Sequence, residues 1–548
     1  MTAQVSGSET DPNQANNTAS ASVTVTGSTY NLTPSLSSIS PAAIESGSSD
    51  TTITITGSGF SSASSVLLGT STLPTSYSSS TELTATVPQA ALATLGWAPI
   101  TVSNPTPGGG ASNPLPLSVF NVITLGVNHI LFDPYSQQIM ASVGSGSSSI
   151  TGNSIVAIDP STGTVGTPVP IGSQPENMAL TSDGQVLYTI LTGSQSIGVF
   201  NMLAQSAEFT YAVQPGTGTD NSPAPRGIAA QPGSESTVAI DLGSWAGNAI
   251  YSFDLTNKTA AMVGQASGPY SGSCIQFLDP TDMLAFDTDT SGATLDHYTV
   301  TPAGFQYYNY SQYTESTLND FGCFKLSGGV AFANAGGVAN PATVPATQLG
   351  IFSVRGGEGG EFSTSGSFVP DTSLESSFYL VNTEATGTSS FGTAPDGIQS
   401  FNLNTYMPTS EVSLNMGKIE GNTSYTGVDV VRWGQDGLAV LTSGGHLYFL
   451  RGAFVVPGEL NTNSAAAINS APSLTHGSGN ALLTITGSNF LPGVAVMWNG
   501  SYRTTTIESN HTLTVAIPAS DLASAGTASV VAVNPGAPAS NALTITIN

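Results

Sequence analysis

The sequence predicts an all-β protein, a central run of seven four-stranded units between two smaller β domains that are copies of each other. Three observations predict it. Short apolar runs of period two, broken by Gly, Pro, Asn and Ser, recur along the whole length, and that period places alternate side chains on the two faces of a strand. The two ends of the chain repeat each other. Between them a different repeat returns about every 45 to 50 residues.

Composition bounds what such a chain can do. It has 548 residues, 39% of them hydrophobic, so material for cores is ample, and at roughly 100 to 200 residues per domain three or four domains are expected. Eight Lys and Arg stand against 34 Asp and Glu, a net charge of -26. Nucleic-acid binding is excluded, because phosphate affinity needs clustered cations; attraction to anionic lipid fails for the same reason. No apolar run approaches the roughly 20 residues of a membrane span. Met1-Thr-Ala-Gln-Val-Ser-Gly-Ser-Glu-Thr-Asp11 has no basic start and no apolar core, so an export signal is not visible. The cation-poor, Ser- and Thr-rich composition nevertheless reads as extracellular or cell-surface, and the chain is expected to be a processed piece of an exported protein.

Residues 1–33 form an extension with one expected strand. The run Asp11-Pro-Asn-Gln-Ala-Asn-Asn-Thr-Ala-Ser-Ala-Ser-Val-Thr-Val-Thr26 is a turn followed by an alternating strand. It resembles the last strand of the CARDB-like repeats of long bacterial surface proteins, without the rest of that domain. A strand lacking hydrogen-bonded neighbours seeks a partner. Two readings stay open: Thr18, Ala19, Ser20, Ala21, Ser22, Val23, Thr24, Val25 and Thr26 complete a sheet in another copy, as in donor-strand exchange, or they are a processing or cloning remnant lying against their own chain.

Thr54 to Asn104 aligns with Thr484 to Asn534 at a constant offset of 430 without a gap. Ile53-Thr-Ile-Thr-Gly-Ser-Gly-Phe60 faces Leu483-Thr-Ile-Thr-Gly-Ser-Asn-Phe490, and Val87-Pro88, Leu92, Gly96 and Asn104-Pro105 face Ile517-Pro518, Leu522, Gly526 and Asn534-Pro535. Units of roughly 80 to 90 residues with strands such as Leu83-Thr-Ala-Thr-Val87 fit small sandwiches. On the Ile-Thr-Gly-x-x-Phe segment, the Val-Pro or Ile-Pro step and the closing Asn-Pro turn, residues 34–121 and 470–548 resemble the immunoglobulin-like IPT/TIG family. That resemblance implies spacer or partner-docking modules without chemistry of their own.

Residues 122–460 carry the second repeat. Seven units are counted, each with a strand, a turn such as Asp-Pro or Ser-Asp-Gly, a second strand like Val186-Leu-Tyr188 and a third ending in Phe-Asn or Phe-Asp, as in Ile197-Gly-Val-Phe-Asn201. A period of about 40 to 50 with four strands per unit marks β-propeller blades. Ala157-Ile-Asp-Pro-Ser-Thr-Gly-Thr164 and Thr181-Ser-Asp-Gly-Gln-Val-Leu-Tyr188 resemble turns of bacterial YVTN-type and lactonase-like propellers, a fold that hosts many activities. Residues 461–469 read as a linker.

Chemistry-bearing motifs are sparse. Cys274 and Cys323 open matching strands of consecutive units, so a disulfide between them is geometrically reasonable; two buried free thiols remain the alternative. The histidines His129, His297, His446, His476 and His511 show no metal-ligand spacing and are expected in surface turns. No nucleophile elbow stands in strand-turn-helix context, and Arg355-Gly-Gly-Glu-Gly-Gly360 reads as a flexible loop. Asp287-Thr-Asp-Thr-Ser-Gly292 resembles the start of a calcium loop, with Asp287, Asp289, Ser291 and Asp296 as the oxygen ligands, set against an ordinary solvated turn. No other cofactor is expected. Of the acids, 27 lie in 122–469 with seven cations, so the charge sits on the middle of the chain. Low cation content suits an acidic setting, and stability is expected to hold or rise from neutral pH to about pH 4.

The leading expectation is a non-enzymatic extracellular structural or adhesive protein. In its sharper form this is a self-assembling fibre subunit, with other copies of itself, other surface proteins or glycans as partners. The competing expectation is a ligand-binding or lactonase-like hydrolytic propeller acting at its axial funnel. Ionisable residues converging on that funnel would favour the second; a lining of Ser, Gly and aliphatic residues would favour the first.

Overall fold

The computed structural model describes residues 2–4, 7–20, 30–213, 227–234, 236–241, 248–254, 261–268, 274–287, 294–301, 304–312, 324–334, 336–343, 346–352, 354, 367–382, 394–421, 425–452, 466–488, 490, 494–509, 512–533 and 539–548. The chain divides into two compact units, one of residues 1–40, 51–87 and 99–115, the other of residues 41–50, 88–98 and 116–548. It is all-β. The helical pieces among the described residues are a five-residue helix, Met416–Glu420, and four short 3-10 turns.

The first unit contains the sheet Ser35–Ser40, Thr51–Ser58, Glu82–Val87, Thr75–Ser79 in that spatial order. Alternation does what the sequence requires of it: Ile53 and Ile55 are fully buried while Thr52 and Thr56 face water. They stand opposite Ala85 and Leu83. In the second copy Leu483 and Ile485 stand opposite Val515 and Leu513, all four fully buried. The glycine of the Ile-Thr-Gly-x-x-Phe segment is a matter of space. A Cβ on Gly57 would lie 2.1 Å from the Ser35 carbonyl oxygen and 2.7 Å from the Phe60 ring, and one on Gly487 would lie 2.1 Å from the Ala467 oxygen and 2.4 Å from the Phe490 ring. The Val-Pro and Ile-Pro steps open 3-10 turns that bury Leu92 and Leu522. Asp50 and Asn480 accept the first backbone N–H of those turns, from Gln89 at 2.8 Å and Ala519 at 3.0 Å.

The described residues between 122 and 452 build seven sheets whose first strands are Val127–Asp133, Pro175–Leu180, Gly227–Ala230, Ile275–Asp279, Phe324–Ser327, Phe368–Asp371 and Gly427–Trp433. Sheets two to six have four antiparallel strands each in simple meander order; sheet one ends in two short edge strands. Sheet seven takes its fourth strand from earlier in the chain: Asn121–Thr124 of the strand Leu115–Thr124 pairs with His446–Phe449. The same strand pairs in parallel with Ala43–Glu45 through Ser118–Phe120, so it runs unbroken through the expected boundary at 121/122. Successive first strands lie against one another from sheet one to sheet seven, and the first strand of sheet seven lies against that of sheet one.

The repeat grammar follows from turn chemistry. The Asp or Asn that closes a third strand accepts backbone N–H groups of the turn after it: Asp159 from Ser161, Asn201 from Ala204, Asn340 from Ala342, Asn402 from Asn404 and Thr405, all at 2.8–3.0 Å. These are Asx turns, which let the chain reverse without orphaned donors. Between sheets, where no strand ladder exists, side chains take over: Tyr135 donates to the Ser182 carbonyl at 2.7 Å, Gln231 to that of Pro280 at 2.7 Å, and Arg432 Nε to Asp371 at 2.9 Å.

Two expectations are corrected. Among the described residues of 1–33 there are two short strands and not one, since Thr2–Gln4 pairs antiparallel with Thr18–Ser20; three residues are too few to show a period. Of the expected assembly strand, Thr18, Ala19 and Ser20 are thus partnered within the chain, and Ala21 to Thr26 lie outside the described residues. The expected linker 461–469 overlaps the strand Ala467–Ser470, the first of the second copy.

Candidate functional site

A cavity of about 520 Å³ opens at the beginnings of the seven first strands. Each sheet contributes to its wall: His129 from sheet one, Asn177 and Met178 from two, Ile228 and Ala229 from three, Ile275 and Gln276 from four, Phe324 and Lys325 from five, Phe368 from six, and Gly427 to Asp429 from seven. Side chains at these positions meet because the first strands lie side by side.

One string of charge crosses three of these strands. Lys325 Nζ donates to Asp429 Oδ1 at 2.9 Å and to the Val430 carbonyl at 3.2 Å. Its stem passes the Phe368 ring of the intervening sheet, with Nζ 5.9 Å from the ring centroid. His129 Nε2 lies 3.5 Å from Asp429 Oδ2. Asp429 is only 7% exposed, and a carboxylate that far from water is stable only when paired. Burial holds the His129 imidazole below its ordinary value of 6.5; the Asp429 charge opposes the shift and the Lys325 charge adds to it. Gln276 is spent on the wall: its Nε2 donates to the Phe324 carbonyl at 3.1 Å and its Oε1 accepts from the Leu326 N–H at 2.8 Å.

A second polar cluster lies between the helix Met416–Glu420 and sheet seven. The Glu420 side chain is fully buried. It accepts from Thr442 Oγ1 at 2.6 Å and Tyr448 Oη at 3.0 Å, and its other oxygen lies 2.8 Å from His446 Nδ1. Tyr425 Oη donates to the Pro395 carbonyl. Burial, then the nearby Glu420 charge, raises the hydroxyl pKa of both Tyr425 and Tyr448. Thr442 and Tyr448 both donate to the carboxylate that ends the helix, which makes the cluster a fastening for it.

The expectation of histidines in surface turns fails for three of the five. His129 lines the cavity, His297 is 1% exposed in the strand Thr294–Thr301, and His446 is tied to Glu420. Composition treats every histidine of a polar chain as solvated, whereas each of these sits in or at the start of a strand. His476 meets the terminal Asn548 carbonyl oxygen at 2.8 Å and is exposed; His511 lies outside the described residues.

Cys274 is 6% exposed and lines the cavity just before the first strand of sheet four. Cys323 and the Arg355 to Gly360 segment lie outside the described residues. Of the calcium candidates, Asp289 and Ser291 also lie outside them. Asp287 pairs with Thr294 at the mouth of the turn, and Asp296 is a fully buried strand residue opposite Ala285. Sequence reasoning missed His129, Lys325 and Asp429 as a group. A partial signal existed for two of them, each a charged residue between apolar ones, in Phe324-Lys-Leu326 and Val428-Asp-Val430; His129 follows the polar Asn128 and carried none.

Residues 34–119 and 468–547 match the IPT/TIG domain. No curated protein matches the chain. Among solved structures, it is similar to a β-propeller domain of Swd1 from Myceliophteria thermophila (9% identity, 61% of this chain and 99% of that one, TM-score 0.45). It is also similar to Kuenenia stuttgartiensis hydrazine synthase (13%, 60% and 96%, TM-score 0.44). A third is a putative 6-phosphogluconolactonase from Bacteroides fragilis (14%, 65% and 96%, TM-score 0.38).

Proposed function

We propose that the chain is a non-enzymatic extracellular binding protein, in which a seven-bladed β-propeller carries a small-molecule site at its axis between two immunoglobulin-like spacers. One observation carries this reading: a 520 Å³ cavity whose wall is drawn from all seven first strands and holds Lys325, Asp429 and His129. Ionisable groups converging on the funnel are what a binding or hydrolytic propeller requires and a purely structural one does not. Cavities of roughly 300 to 1,000 Å³ with an apolar wall and a few placed polar groups suit small ligands. The blade count is supported by seven sheets, five of them simple four-stranded meanders, and by the strand Leu115–Thr124, which would close the ring as the fourth strand of the last blade.

The export setting is supported by composition, and among the described residues no cysteine is free. A Cys274–Cys323 bridge would tie the cavity wall between sheets four and five; reduction and alkylation followed by peptide mapping tests it. Self-assembly through the N-terminal strand is a weaker reading, because Thr18–Ser20 already has a partner in Thr2–Gln4. Electron microscopy with and without residues 1–30 decides it, and unchanged monomers in both preparations would end it.

The binding reading is tested by fragment screening with protein-observed NMR on the whole chain and on Ala229→Trp, which fills the cavity. Fragments should perturb the wild type and not the variant, with both proteins folded. Fragments that bind both equally, or none that bind the wild type, would overturn it.

A further inference from the structure

We infer that the cavity takes an uncharged, hydroxyl-bearing ligand with an apolar face, of the size of one or two sugar rings, and turns away the anionic and cationic counterparts of that ligand. This inference rests on the binding reading above and adds the chemical class.

The argument is one of charge balance. Among the described wall residues the side chains that can carry charge are Lys325, Asp429 and His129. Lys325 and Asp429 cancel each other across 2.9 Å, and burial keeps His129 on the neutral side. An anionic ligand that took the remaining Lys325 N–H would bring a second negative charge beside Asp429, and to gain a counterion of its own it would have to draw Lys325 from Asp429 and the Val430 carbonyl. A cationic ligand at Asp429 would share one carboxylate with Lys325, or displace Lys325 and leave its ammonium unpaired above the Phe368 ring. Either way a partly desolvated charge is left without a partner of its own, which is costly. The 27 acids and seven cations of residues 122–469 add a long-range field that disfavours anions further.

Neutral hydroxyls require no exchange. The Lys325 ammonium carries three N–H donors, of which two are committed, to Asp429 and Val430. Ser367 and Thr426 stand on the same wall. Apolar surface is supplied by Met178, Ile228 and Ile275, and further amides by Asn177 and Asn334. A wall that combines aliphatic surface with hydroxyls, amides and a balanced charge pair matches a ring that has hydroxyls at its edge and C–H groups on its face.

The test uses the full chain and three matched probe sets: neutral sugars (glucose, galactose, mannose, maltose, cellobiose), the uronic acids of the three monosaccharides, and their 2-amino counterparts. Binding is read by saturation-transfer NMR, with His129 ring signals followed in parallel. Binders should come from the neutral set, shift the His129 signals, and lose at least about tenfold in affinity when either charge is introduced. A uronic acid or amino sugar that binds as tightly as its neutral parent overturns the inference, as does a neutral sugar that binds without moving His129. Absence of binding by every sugar also overturns it, and fragment binding that is lost in Ala229→Trp would then still stand. The ligand class and the cavity reading therefore fail separately.

Discussion

His129 reports on the charge string from within it. Its imidazole is pushed down by burial, pulled up by Asp429 and pushed down again by Lys325, so the neighbours can be told apart by removing them singly. In a proton NMR titration the wild-type ring should titrate below 6.5; Lys325→Met should move the midpoint up and Asp429→Asn should move it further down. Midpoints that ignore both substitutions would mean that the three side chains do not meet. The sign for stability follows. A histidine whose folded pKa is depressed contributes stability that is present above the unfolded value of 6.5 and is lost as pH falls through the folded one. His129 therefore works against the expectation that stability holds towards pH 4, and His129→Gln should flatten the loss. At this scale little was legible beforehand. Positions 129, 325 and 429 come together only because three strands begin at one place, and no spacing rule operates across such separations.

At the scale of elements, the end domains were the most legible part of the chain, since an ungapped offset of 430 preserves contacts as well as composition. Thr75 Oγ1 accepts the Val66 N–H at 3.1 Å, and Thr505 Oγ1 accepts that of Val496 at 3.1 Å. One shared device escaped notice because it lies where the offset slips, to 428 at the two asparagines and to 432 at the residues they hold. Asn113 accepts the Leu36 N–H at 2.8 Å and donates to the Leu36 carbonyl at 3.1 Å; Asn541 does the same to Ile468 at 2.9 and 2.8 Å. Each amide imitates the strand neighbour that the first strand of its sandwich lacks on that side. Removing it orphans two half-buried backbone groups, which costs about 1–3 kcal/mol. Asn113→Ala and Asn541→Ala should each lower unfolding stability by about that amount, with Asn→Asp keeping the acceptor and recovering part of it. Urea denaturation checks this, and a loss under about 0.5 kcal/mol for both would show the amides to be incidental.

On the scale of the whole molecule, the paucity of cations has a structural counterpart. Four of the five cations among the described residues are engaged with carboxylates: Lys325 with Asp429, Arg432 with Asp371, Arg451 with Asp436 and Arg503 with Asp521. Composition showed that cations were few; only the fold shows that they are placed against part-buried acids, where a missing partner would be costly. The alkaline limit has a different origin. Tyr448 is fully buried and Tyr425 is 3% exposed, and burial together with the Glu420 charge raises both hydroxyls above their ordinary value of 10. A tyrosine with a raised folded pKa contributes stability that is complete below the unfolded value and is lost as pH climbs from there towards the folded one. Each such group costs about 1.4 kcal/mol per pH unit in that window. Unfolding free energy should therefore be nearly flat from pH 8 to about 10 and fall steeply above it. Tyr448→Phe should lower the slope by about 1.4 kcal/mol per pH unit while leaving Glu420 held by Thr442 and His446. A slope in the variant equal to that of the wild type would mean that the cluster beneath the helix Met416–Glu420 opens before the protein unfolds, and that the last sheet is fastened elsewhere.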